Sequence, residues 1–147
     1  MRSTESGFNE LVYLAAAEER LSEAEVLFGE RRFVMAAYTA GVAVESLLIA
    51  YQTREGAAHD AKHSLRRLAE NGKFWDGMTR KQKEAISAAL GEVMTRWRNN
   101  HRFRSERAFR DFLSKDRLFA QGEIAQSNTE ILLESAYRVI EIGVARW

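Results

Sequence analysis

Between Arg31 and Gly56 the chain reads RRFVMAAYTAGVAVESLLIAYQTREG, a segment with almost no polar face. Phe33, Ala37, Ala40, Val44, Leu47 and Tyr51 fall on one stripe at helical spacing, and small residues fill the faces between them. A helix that is apolar nearly all round must be covered on every side, so this one belongs at the centre of a helical bundle. Gly56 is placed to end it, because glycine takes the left-handed conformation without a side-chain clash. The chain has no proline, and proline inside a helix costs about 3 kcal/mol, so its absence favours long helices.

The remaining segments supply the cover. Leu14, Ala17, Leu21, Ala24 and Phe28 predict a first helix over Asn9–Gly29 with an acidic outer face. Leu65 and Leu68 predict a short helix within His63–Asn71, closed by Asn71 and Gly72. Thr79 reads as the N-cap of a further helix whose stripe is Ile86, Leu90, Val93 and Trp97. That helix should end near Asn99 and Asn100, both poor helix formers. Residues 102–122 read as a long loop with a short helix at Arg107–Leu113. A final helix is predicted over Ser127–Trp147, carrying Leu132, Ala136, Val139, Ile140 and Gly143. No segment alternates as a strand would. The expected fold is all-α, an antiparallel four- to five-helix bundle. It would form a single domain over residues 9–147, after a flexible N-terminus at residues 1–8. A chain of 147 residues is long enough to bury one core.

Composition excludes several chemistries. Apolar residues make up 46% and charged residues 29%, the balance of an ordinary globular chain. There is no cysteine, so neither disulfide nor thiolate chemistry is available. The histidines are scattered without a His-x-x-x-His pair, and no metal site or cofactor is expected. There is no glycine-rich phosphate loop, Gly-x-Ser-x-Gly elbow or Glu-x-x-His motif. No apolar run is read as approaching the roughly 20 residues that cross a bilayer. The start, MRSTESGFNEL, lacks the layout of a signal peptide, so a cytoplasmic protein without membrane contact is expected. Net charge is +1, which gives no strong overall field. The charge is nevertheless segregated: Arg96, Arg98, Arg102, Arg104, Arg107 and Arg110 meet only Glu106, while acids collect in Glu18–Glu30 and Glu123–Glu141. Such segregation points to a local site for a polyanion.

Three stretches carry a family likeness. FVMAAYTAGVAVESLLIAYQ is followed by Lys62-His63-Ser64-Leu65-Arg66-Arg67-Leu68, and later by Trp97 to Phe103 with Arg102 and Phe103 at its end. Together they resemble HEPN domains (higher eukaryotes and prokaryotes nucleotide-binding), over roughly Asn9 to Trp147. In that family an aromatic residue, small residues and an acid before an apolar pair mark the second helix. A Lys/Thr-His-x-Leu-x-x-Leu segment and a W-x-x-x-x-R-Y signature follow. The resemblance implies one of two functions. Many members are metal-independent ribonucleases, toxins or antiviral effectors, with an Arg-x(4 to 6)-His motif completed across a homodimer. Others, often with the R-Y mark, are non-catalytic and bind nucleotides, RNA or a nucleotidyltransferase-like antitoxin.

Here Arg96 and His101 spell Arg-x4-His, although Trp97 stands where the family tends to place a polar residue. Starting from Arg98 restores Asn99 as the polar neighbour but leaves His101 only three positions on. Metal-free RNA cleavage needs a base for the 2′-hydroxyl proton and a cation for the phosphate. His101 suits the first role and Arg96 the second, with Arg98, Asn100, Arg102 and Arg104 as substrate contacts. On an unbroken helix Arg96 and His101 would lie about 140° apart, so they converge only across a break or across a dimer. The bland alternative is a solvated helix end whose cations favour the C-terminal dipole. Glu45, inside the most apolar helix, is expected to be buried and paired, with Arg96, Arg98 or Arg102 as partners. His63 is expected to be structural, capping or packing at a helix start. Two functions stand open: a homodimer that binds or cleaves RNA, and a non-catalytic module whose small-residue and final helices make the dimer or bind a partner protein.

Overall fold

A computed structural model describes residues 9–56, 64–70, 72–115 and 124–147. Helix α1 (Glu10–Gly29) starts at Asn9, whose side-chain oxygen accepts from the Leu11 and Val12 N–H groups at 3.0 and 3.1 Å. Those are donors that a first turn otherwise leaves open. Ala17, Leu21 and Ala24 are its buried stripe, flanked by Leu14 and Phe28. The chain then reverses through Arg31, which sits in the left-handed region at φ 62°, and α2 (Phe33–Arg54) runs back against α1.

Helix α2 is buried along most of its length, and every member of the predicted stripe from Phe33 to Tyr51 is in the core. It touches α1, the short helices α3 (Leu65–Ala69) and α4 (Gly72–Trp75), α6 (Glu106–Lys115) and α7 (Ile124–Ala145). Its small residues Ala36, Ala37, Ala40, Ala43 and Ala50 are consumed by these contacts within the chain. By length and composition α2 is a candidate membrane span, which corrects the expectation that no apolar run reaches that size; 78% of the window in question is buried inside the bundle. Gly56 follows at φ 78°, the left-handed conformation that ends the helix.

Two boundaries differ from the sequence reading for identifiable reasons. Gly72 does not close α3 but opens α4, a single turn that carries the fully buried Phe74 against Tyr51, ring centroids 5.0 Å apart. Helix α5 (Arg80–Arg96) opens on a complete capping box, Thr79 with Gln82, each bond 3.0 Å long. It ends at Arg96 rather than near Asn99, because Trp97 leaves the helix in an extended conformation (φ −97°, ψ 138°). The indole lies on Gly41 of α2, where an added Cβ would coincide with the ring, and its Nε1–H donates to the Tyr38 carbonyl at 3.0 Å.

Beyond Trp97, Asn99–Phe103 form a 3₁₀ turn and α6 extends past the predicted Arg107–Leu113 in both directions. Helix α7 starts at Ile124, ahead of the predicted Ser127, and buries Leu132, Ala136, Val139, Ile140 and Gly143 as expected. Gly143 lets α7 meet Leu47 of α2, and the Tyr51 hydroxyl donates to the Gly143 carbonyl at 2.6 Å. The result is an all-α bundle of four long helices, α1, α2, α5 and α7, with the short helices α3, α4 and α6 packed against α2.

Candidate nucleic-acid interface

The arginine-rich segment follows α5 as a 3₁₀ turn packed against α2 and continues into α6. At the end of α5, Arg96 is largely buried and committed to protein partners. Its Nε lies 3.0 Å from a Glu92 carboxylate oxygen, and one terminal nitrogen donates at 3.0 Å to the Asn128 side-chain oxygen on α7. The helix does break between Arg96 and His101, but the break sends the two side chains to different neighbours.

His101 turns inward beneath α6. It is fully buried, and its ring meets the edges of Phe109 and Phe112 at 5.1 and 5.4 Å. Nδ1 accepts from the Arg98 backbone N–H at 3.4 Å, so the proton of the neutral ring lies on Nε2, which is buried without a partner. Burial, followed by the nearby charges of Arg104 and Arg98, pushes the imidazole pKa down to about 4. At neutral pH the ring is uncharged and enclosed.

Arg98 does two things. One terminal nitrogen donates to the carbonyls of Met94, Thr95 and Trp97 at 3.3, 3.2 and 2.8 Å, closing the end of α5. Its guanidinium carbon also stands 5.9 Å from the centroid of Phe112, and that of Arg104 stands 4.4 Å from the same ring. Phe112 therefore gathers two like charges. Among the described residues neither guanidinium has a carboxylate partner, and the buried Nε of Arg104 makes no hydrogen bond. Glu106, the one acid of the segment from Arg96 to Arg110, is turned away: it accepts from the Val34 N–H at 2.8 Å and caps the start of α2.

Arg102 and Asn100 project to solvent from the 3₁₀ turn. Beside them Phe103 is 77% exposed, with the Arg102 guanidinium 4.8 Å from its ring centroid. On the other side of Arg98 a cavity of about 220 Å³ is lined by Leu65, Arg66, Met94, Trp97 and Asn99 as well as Arg98 itself. Residues 98–104 thus form a short ridge on which Arg98, Asn100 and Arg102 are exposed and Arg104 is half-buried, with Arg98 and Arg104 sharing Phe112, while His101 is buried and Arg96 is held by Glu92 and Asn128.

Glu45 is buried, at 7% exposure, within α2. His63 lies outside the described residues, as does Lys62. No cluster of three metal-binding side chains occurs among the described residues. Sequence reasoning missed the parts played by Phe103, Phe112, Glu106 and Asn128. For Asn128 a signal was present: it stands one helical turn before Leu132 on the buried stripe of α7. Phe109 and Leu113 likewise share one face of α6 at i, i+4 spacing. Phe103 and Glu106 left no such periodic trace. Compared with models of protein families, with curated proteins and with solved structures, the chain matches none.

Proposed function

We propose that this chain is a HEPN-type helical module that binds RNA without cleaving it. The observation that carries the reading is the division of the arginine-rich segment. Among the described residues, Arg98, Arg102 and Arg104 stand on the ridge without carboxylate partners, and the one described imidazole, His101, is sealed under α6. A general base must come within hydrogen-bond reach of the 2′-hydroxyl and titrate near the working pH. His101 meets neither condition in this arrangement, with no exposed surface and a pKa near 4. Arg96, held by Glu92 and Asn128, is correspondingly engaged in the fold. Arg98 commits one terminal nitrogen to the end of α5 and the Nε of Arg104 is buried, and the guanidinium donors left on Arg98, Arg102 and Arg104 suit phosphate.

Incubation with single-stranded RNA in the absence of divalent metal should therefore leave the RNA intact. Binding followed by anisotropy should weaken steeply between 50 and 200 mM salt, with a slope of roughly −0.7 per phosphate contact on a single strand. Appearance of 2′,3′-cyclic phosphate ends that vanish in His101→Ala would overturn the non-catalytic reading and restore Arg96 and His101 as a reacting pair. RNA affinity absent at low salt would overturn binding altogether.

A further inference from the structure

We infer that Phe103 is a stacking platform for an unpaired base, with Arg98 and Arg104 as the clamp for the adjoining phosphate. The module would then select single strands over duplex. This deepens the RNA-binding reading and rests on it. Phe103 is the most exposed large apolar residue described, at 77%, ahead of Leu11 and Val26 at 61%. It stands among arginines rather than in an apolar patch, which disfavours an apolar partner surface and favours a ligand that is both flat and anionic. The Arg102 guanidinium, 4.8 Å from the ring centroid, fits the same ligand, since cations and π-faces both attend stacked bases.

The phosphate side is built independently. Arg98 and Arg104 are held against one ring, Phe112, at 5.9 and 4.4 Å. Hydrogen bonds to the end of α5 anchor Arg98 further. Two cations gathered at one ring without a carboxylate partner among the described residues favour an anion beside them, and a phosphodiester is such an anion. Phe103 and Arg104 are consecutive residues, so one nucleotide can offer its base to the first and its phosphate to the second. In a duplex each base is stacked on both faces and cannot be offered to a protruding ring, whereas an unpaired base can.

The test uses anisotropy with labelled 12-nucleotide oligo(U), oligo(dT) of the same length and a 12-base-pair RNA duplex. Both single strands should bind at least about tenfold more tightly than the duplex. Phe103→Ala should weaken single-strand binding about tenfold and leave duplex binding unchanged, while Phe103→Trp should preserve it. Arg98→Gln and Arg104→Gln should each reduce the salt slope by about 0.7. Duplex affinity equal to that of oligo(U), or a Phe103→Ala affinity within twofold of wild type, would overturn the inference while RNA binding itself stands. A Phe103→Ala protein that loses self-association in sedimentation but keeps its oligo(U) affinity would assign Phe103 to a protein contact and overturn it too. No binding to any of the three probes would remove both this inference and the RNA-binding reading.

Discussion

His101 shows how one side chain can spell a motif and perform another task. Its ring fills the space under Phe109 and Phe112, and its folded pKa of about 4 lies below the ordinary 6.5. A depressed pKa means that the unfolded chain takes up the proton first. Stability is therefore complete above about pH 6.5 and is lost as pH falls toward 4, by on the order of 3 kcal/mol in the limit. Urea unfolding of wild type and His101→Gln at pH 7, 5.5 and 4.5 should show the difference between them shrinking with acidity, since only wild type carries this proton. A constant difference would mean that the ring titrates normally. Gly41 is a second single-residue control. A methyl there enters the Trp97 indole, so Gly41→Ala should destabilise by about 1–3 kcal/mol in chemical denaturation. An unchanged midpoint would show that the indole can vacate its seat cheaply.

Among the elements, legibility followed periodicity. The stripes of α1, α2, α5 and α7 could be read because each buries one apolar series over many turns. Thr79 was legible because an N-cap is a local bond between near neighbours. Helix α4 was not, since four residues contain barely one turn and its anchor, Phe74, acts through Tyr51 on another helix. The candidate site was half legible for the same reason. Arginine density marked the ridge, but which residues face outward is decided by α6, whose cover over His101 cannot be deduced from the spacing of Arg96 and His101. Glu106 is the clearest case: its partner, the Val34 N–H, lies 72 positions away. Glu106→Ala should cost about 1 kcal/mol through loss of the α2 cap, and Glu106→Gln less, because an amide oxygen can still accept. Equal midpoints for wild type and Glu106→Ala would remove the cap from the account.

At the scale of the whole molecule, α2 is the common neighbour of α1, α3, α4, α6 and α7. Melting α1, α3, α4, α6 or α7 would expose α2, and melting α5 would expose the α7 face on which it packs. Thermal unfolding should accordingly be a single transition, with helix content by circular dichroism and tryptophan emission superimposing. Two separated midpoints would reveal independent units. The three tryptophans sample two places for this purpose: Trp75 and Trp147 flank the pair of Phe74 and Tyr51, and Trp97 stacks on Tyr38. Of these, Trp97 has the further distinction of being peptide-bonded to Arg98, with its indole fixed between Gly41 and the Tyr38 carbonyl. The Arg98 guanidinium also donates to the Trp97 carbonyl at 2.8 Å, so the chromophore and the charged group share one short stretch of backbone. If RNA occupies the basic ridge as proposed, titration of the unlabelled protein should change Trp97 emission, and the change should be absent from Trp97→Phe; an unchanged spectrum at saturating RNA would show that the indole does not sense the ridge.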